Sequence, residues 1–225
     1  MPKMSDANLQ AILLTLELAA VSTLILLVIS LPLSWWLART QSLAKPVLEA
    51  VVALPLVLPP TVLGFYLLVL LSPGSPLGAA WVWLTGESLT FSFSGLVVGS
   101  VIYSLPFVVQ PLQAGFMRIT QPLIESAALL GANAGTRFVH LVLPMVRPTI
   151  IAAAALGFAH TIGEFGVVLM IGGNIPGETR VLSIAIFDHV EALRYGEAHA
   201  LAAGLLVASL VMLTAIYRWA RPRVF

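Results

Sequence analysis

The sequence predicts an all-α, polytopic membrane protein with about five transmembrane helices in one domain over residues 1–225. Mean hydropathy is +1.01, and 59% of residues are hydrophobic against 9% charged, far from the balance of a water-soluble domain. Apolar runs recur at lengths near the roughly 20 residues that a helix needs to cross a hydrocarbon core. The charges gather between those runs.

The first span is expected at 10–37. Lys3 is the lone basic residue ahead of it, Asp6 follows, and the apolar run is too long and lacks a small-residue cleavage site, so it reads as a retained helix rather than a signal peptide. The second, 47–71, contains Pro55, Pro59 and Pro60, which remove backbone donors and force a bend or break. Such a break survives in a bilayer only where protein or a water-filled cavity satisfies the freed carbonyls. These prolines either line a translocation path or shape helix packing, and the residues alone leave both readings open. The remaining spans are expected at 92–116, 147–172 and 199–219. The intervals 72–91 and 173–198 are the longest stretches outside the spans.

Between the third and fourth spans lies a polar island with Arg118, Glu125, Asn133, Arg137 and His140. Its local chemistry is that of two short helices meeting at a bend. Ser126, Ala127 and Ala128 favour close packing, and Gly131 permits a turn that a side chain would oppose. Pro144 and Pro148 are expected to mark the re-entry into the membrane.

Basic residues set the orientation. With the island inside, Arg39, Lys45, Arg118, Arg137, Arg147, Arg218, Arg221 and Arg223 are cytoplasmic, while Lys3, Arg180 and Arg194 are outside, eight against three of the eleven. The positive-inside rule selects that arrangement, with the N-terminus outside and the C-terminus cytoplasmic. Trp81 and Trp83 suit the outer interface, and Trp35, Trp36 and Trp219 the inner one.

Glu164 sits in an apolar run, where an ionised carboxylate costs at least a few kcal/mol unless it is paired, wetted or protonated. His160, four residues earlier, is the nearest candidate partner if the helix continues. Gly163 and Gly166 bracket the acid and admit a second helix. Glu164 serves either as an interhelical lock in a dimer or as a gate. Beyond it, Asn174, Pro176 and Gly177 are turn formers, and Glu178 and Arg180 offer opposite charges. That segment forms either a rim that orients a partner or a solvated hairpin.

The segment Glu125-Ser126-Ala127-Ala128-Leu129-Leu130-Gly131, followed after nine residues by Leu141-Val142-Leu143-Pro144, resembles the coupling-loop signature of ABC importer permeases, E-A-A-x-x-x-G-x9-I-x-L-P. Ser126 replaces the first alanine and Leu141 the isoleucine. The Leu-Pro-Leu-Val-Leu-Pro-Pro run from Leu54, Gly-Glu-Phe-Gly from Gly163 and Asn-Ile-Pro-Gly-Glu-Thr-Arg from Asn174 resemble the molybdate ABC transporter permeases, over about Ile12 to Arg218. Sulfate permeases share the loop and a Gly-Glu-aromatic-Gly segment. His160 departs from the pattern, because relatives often carry arginine there, and a titratable group replaces a permanent charge.

The resemblance implies an importer permease fold with a cytoplasmic coupling helix at about 118–144, and transport of an oxyanion, molybdate first, with sulfate or tungstate as alternatives. It implies a homodimer, two ATP-binding subunits and a periplasmic or surface-tethered oxyanion-binding protein. On this reading Glu125, Ser126, Ala127, Gly131, Leu143 and Pro144 couple to the ATPase. Pro55, Pro59, Pro60, His160, Gly163, Glu164 and Gly166 shape the pathway or gate, and Asn174, Pro176, Gly177, Glu178 and Arg180 form the rim that faces the binding protein.

The chain itself contains no G-x-x-x-x-G-K-[S/T] phosphate loop, so ATP hydrolysis is expected from another subunit. Without cysteine it has no disulfide or thiolate metal site, and His140, His160, His189 and His199 have no spacing that brings three to one metal. No serine has a base beside it, so an intramembrane enzyme is unsupported. No cofactor or nucleic acid is indicated. A secondary transporter using Glu164 and His160 as a proton-coupled pair is the competing class, although no inverted repeat supports it.

The topology predicts the outcome of cysteine labelling. Single cysteines at Glu87 or Glu178 should react with an impermeant maleimide in intact cells, and one at Thr136 should react only after permeabilisation. Labelling of position 136 from outside would overturn the orientation.

Overall fold

The computed structural model describes residues 6–220, and all the regular structure in them is helical. Lys3, Arg221 and Arg223, counted above for orientation, and the side chain of Trp219 lie outside what is described. The first helix, α1 (Asp6–Arg39), has 34 residues. At about 1.5 Å per residue it is roughly 50 Å long, more than a bilayer core of about 30 Å. Its buried stripe, including Ala11, Thr15, Ala19, Ser22, Ser30 and Ser34, is mostly small and follows the helical repeat. Small side chains let α1 approach α5 (Phe93–Met117), the central helix, closely enough for the Ser34 hydroxyl to donate to the Val109 carbonyl at 3.0 Å.

The second span is broken rather than kinked. α2 (Lys45–Val57) and α3 (Pro60–Leu71) meet at a bend of 114°. Leu58 is extended (φ −73, ψ 136) because the ring of a following proline disfavours helical backbone. Pro59 then caps α3 and Pro60 opens it, a position where the missing N–H is no loss. The pair still crosses the bundle. Glu49 meets Gln113 near the far end of α5, Val52 packs on Val109, and Leu63, Leu67 and Leu71 cluster with Leu89 near the start of α5.

Two more expectations need correction. The fourth span does not run as one helix over 147–172. α8 (Leu143–Ile162) stops before Glu164, three residues break the path, and α9 (Gly166–Gly172) completes the crossing. Nor does it re-enter at Pro144. α7 (Ala134–Arg137), a π-helical turn (Phe138–Val142) and α8 form one apolar run of 29 residues from Ala134. Proline has no donor and its ring clashes with the carbonyl four residues back, and the widened turn accommodates both just before Pro144.

The intervals 72–91 and 173–198 outside the spans hold helices, α4 (Pro76–Thr85) and α10 (Leu182–Glu191). α10 is too short to cross a membrane. It packs on α1 and on α11 (Tyr195–Ala220), burying Leu182, Ile184, Ala185 and His189. α6 (Gln121–Leu129) has no fully buried residue, and Ile124 is its partly buried contact with the core.

Contacts along α1 assign the two ends of the bundle. Arg39, at its last turn, donates to the Ile119 carbonyl at 2.9 Å and to Gln121 at 3.2 Å, which places the polar island at that end. Near the other end, the Thr15 hydroxyl accepts from the Leu182 amide at 2.7 Å, and Asn8 meets His189 at 3.0 Å. The 174–180 segment and α10 therefore lie opposite the island.

Candidate functional site

The two broken spans meet each other. A Cβ on Gly166 would stand 2.8 Å from the Pro60 Cβ, and one on Gly64 would stand 2.7 Å from the Met170 Cβ. Both glycines are thus required by the close approach of α3 and α9. Beside this contact opens a cavity of about 550 Å³, lined by Pro60, Thr61, Tyr103, His160, Glu164 and Gly166 together with Gly163 and neighbouring apolar residues. Pro59 caps α3 at the same break, and Pro55 is buried one turn before it in α2. The cavity is level with Ser104, near the middle of α5.

Glu164 is 3% exposed, and neither carboxyl oxygen has a hydrogen-bond partner among the described residues. The Ser100 hydroxyl, likewise buried and without a hydrogen-bond partner among the described residues, is a neighbouring polar side chain. His160 is not its partner. α8 ends at Ile162, so the i, i+4 register that would bring the two side chains together is gone before Glu164 is reached. The His160 Nδ1 lies 2.9 Å from the Ser104 hydroxyl, its ring stacks on Phe107 at 3.9 Å, and Tyr103 closes the other side at 4.8 Å. Ser104 is shared with Thr161 at 3.1 Å. Sequence reasoning missed Ser100, Tyr103, Ser104 and Phe107 because hydroxyls and aromatics inside a span are ordinary until packing brings them together.

At the end carrying the island, α6 closes in a left-handed turn. Gly131 has φ +87, its amide donates to the Ala128 carbonyl at 2.9 Å, and the Ala132 amide donates to that of Ala127 at 3.1 Å. Ser126 donates to the Pro122 carbonyl, and Glu125 accepts from Gln121. Leu129 and Leu130 are 90% and 89% exposed at the tip. Leu143 and Pro144 begin α8 beyond the π-helical turn.

At the opposite end, Arg180 is tied into the fold. Its guanidinium donates to Asp188 at 2.5 Å and to Asn174 at 2.6 Å, while the Asn174 amide donates to both Asp188 oxygens at 2.8 Å. Asp188 on α10, the ion-pair partner of Arg180, was not singled out in the sequence. Pro176, Gly177 (φ +80) and Glu178 remain exposed.

The geometry of Glu164 generates a stability test. Because the carboxyl has no hydrogen-bond partner among the described residues, Glu164→Gln should leave the unfolding free energy of the purified protein within about 1 kcal/mol of wild type, whereas Glu164→Ala should cost about 1–3 kcal/mol through the void it opens. A loss from Gln as large as that from Ala would show that a charged carboxylate is being held, and the unpaired description would fail.

The sequence profile of the binding-protein-dependent transport system inner membrane component family matches residues 30–225. The molybdenum transport system permease protein ModB of Azotobacter vinelandii is 56% identical over 214 residues, 95% of each chain. ModB of Escherichia coli K12 is 32% identical over 84% of this chain and 82% of its own. The E. coli K12 sulfate transport system permease protein CysT is 34% identical over 90% of this chain and 73% of its own. The crystal structure of a bacterial alginate ABC transporter, in complex with an alginate pentasaccharide-bound periplasmic protein, covers 97% of this chain and 80% of the other at a TM-score of 0.78 and 21% identity, a likeness of fold.

Proposed function

The chain belongs to the binding-protein-dependent transport system inner membrane component family, and from that premise we propose that it is the permease subunit of an ABC importer for molybdate. It is a multi-pass membrane protein, and its work is transport. The observation that carries the substrate is the relative that shares more than half its residues, a molybdenum permease along nearly its whole length. At about one-third identity, molybdenum and sulfate permeases stand level and decide nothing.

The cavity supports the reading. Among the described residues its lining holds neither Lys nor Arg, so an oxyanion would meet no fixed cation there to trap it. Selection then belongs to the binding protein. The separation of His160 from Glu164 removes the proton-coupled pair on which a secondary transporter would depend. Two copies of the chain would place two such cavities about a common path, with Pro55, Pro59, Pro60, His160, Gly163, Glu164 and Gly166 shaping the pathway or gate. ATP binding would close two ATPase subunits, and the island would carry that motion to α8 as a rigid-body change. Asn174, Pro176, Gly177, Glu178 and Arg180 would face the binding protein, with Glu178 the free charge and Arg180 the buttress.

Glu125, Ser126, Ala127, Gly131, Leu143 and Pro144 would form the coupling element, and the bare Leu129 and Leu130 its apolar contact. Proteoliposomes holding the permease, its ATPase and the binding protein should accumulate molybdate, and excess sulfate should leave that uptake unchanged. Equal uptake of sulfate would overturn the substrate. Tungstate measured alongside tells whether the two larger anions are separated.

The docking role has its own test. Space is open around Gly131, with no atom within 4 Å of an added Cβ, so Gly131→Val acts through its left-handed backbone, a strain of about 1–2 kcal/mol. Anion-stimulated ATP hydrolysis should fall roughly tenfold while the permease still assembles in the membrane. Normal stimulation in that variant would remove the island from coupling.

A further inference from the structure

A second cavity, of about 400 Å³, opens at the end carrying the island, between α1 and the start of the fourth span. Its walls are Pro32, Trp35, Ile124, Ala134, Phe138 and Val142, and among the described residues the only charged group lining it is Arg137. The Arg137 side chain makes no hydrogen bond or ion pair among the described residues, and its Nε is buried without a partner. A half-buried guanidinium without an acceptor is costly. Arg39 reinforces the positive field, since its guanidinium stacks 4.7 Å from the ring of the same Trp35. No carboxylate lines the cavity.

We propose that this cavity seats an anionic phospholipid of the cytoplasmic leaflet, with the phosphate on Arg137 and an acyl chain along Pro32, Trp35 and Ile124. The inference rests on the cytoplasmic placement of the island given above. Arginine pairs with phosphate oxygens through two parallel donors. Basic pockets between transmembrane helices on the cytoplasmic side suit lipid head groups. A carboxylate from a docked ATPase could meet the guanidinium but would leave the apolar wall uncovered, and that wall continues into the membrane-spanning part of α1. The lipid would brace a joint of the machine. Trp35 touches Phe138 of the π-helical turn at 5.4 Å and Phe116 of α5 at 5.3 Å, so whatever fills the space against it stiffens the link between island and bundle.

The test is native mass spectrometry of the purified full-length permease released from mixed phosphatidylglycerol and phosphatidylcholine, reading the ratio of the two lipids retained. Arg137→Gln should lower the preference for phosphatidylglycerol about fivefold, Arg137→Lys should keep most of it, and Arg118→Gln, on the exposed face of the same island, should leave it unchanged. In the unsubstituted protein, brominated phosphatidylglycerol should quench a share of tryptophan fluorescence that Trp35→Phe lacks. Equal losses from Arg137→Gln and Arg118→Gln, or displacement of the lipid by millimolar inorganic phosphate, would overturn the proposal. So would an unchanged preference in Arg137→Gln, including one that shifts only when the ATPase is added. None of these readings involves molybdate, so failure of the substrate assignment would not be mistaken for failure here.

Discussion

Backbone that leaves the helix inside an apolar slab must find protein or enclosed water for the groups it frees, and here each of two broken spans is covered by the other. The break at Leu58 and Pro59 would expose carbonyls to lipid if α9 were not laid against α3 with Gly64 and Gly166 at the points of closest approach. The break from Gly163 to Phe165 is covered in turn by Pro60 and by Ser183 of α10, whose hydroxyl donates to the Glu164 carbonyl at 2.5 Å. A side chain on either glycine would push the pair apart and uncover both breaks together. The cavity follows from the same constraint, because two interrupted helices cannot fill the space that two continuous ones would.

The rest of the bundle holds this pair in place. α5 carries contacts on several sides. Gly115 admits Thr149 of α8, Gly157 of α8 admits Val108, and Gly99 admits Ile171 of α9, each at under 3 Å from an added Cβ. Since lipid is as apolar as leucine, such close packing, rather than burial from water, holds helices together within a membrane. The fold therefore depends on small residues where a soluble protein would use large ones. At the island end the link is aromatic and cationic instead. Trp35 lies between Phe116 and Phe138, and Arg39 ties α1 to Ile119 and Gln121, so movement of the island is passed to α1 and α5 directly.

How much of this was legible in the sequence varies with the physics. Spans are written in hydrophobicity, which a bilayer enforces strictly, and so their number and approximate limits were readable. The bend at Gly131 was readable because few residues other than glycine adopt its backbone, and the break at Pro59 because proline cannot hide its missing donor. The end of α8 was not. Nothing in Thr161-Ile162-Gly163 forbids a helix, and the pairing of His160 with Glu164 assumed that one continued. Helices α4 and α10 were missed for a related reason, since α10 buries its face on α1 and α11 rather than showing a pattern long enough to stand alone. Asp188 could have been suspected only from Arg180, whose charge needed an acceptor somewhere.

Glu164 can be placed by elimination among physical states. A bare carboxylate in this setting would lose several kcal/mol of solvation with no hydrogen bond to offset it. Water in the adjoining cavity, a proton on the acid or a donor from a second copy of the chain would each remove that cost, and all three depend on whether the cavity is open. A transporter that alternates its access must give the cavity two surroundings, wet in one and closed in the other. The acid is then poorly served by at least one of them unless its proton or its partner changes as well. Sited where both spans break, Glu164 would, on the proposed reading, make the closed and open forms differ in free energy through one side chain, which is what a gate residue needs and what a purely structural lock would avoid.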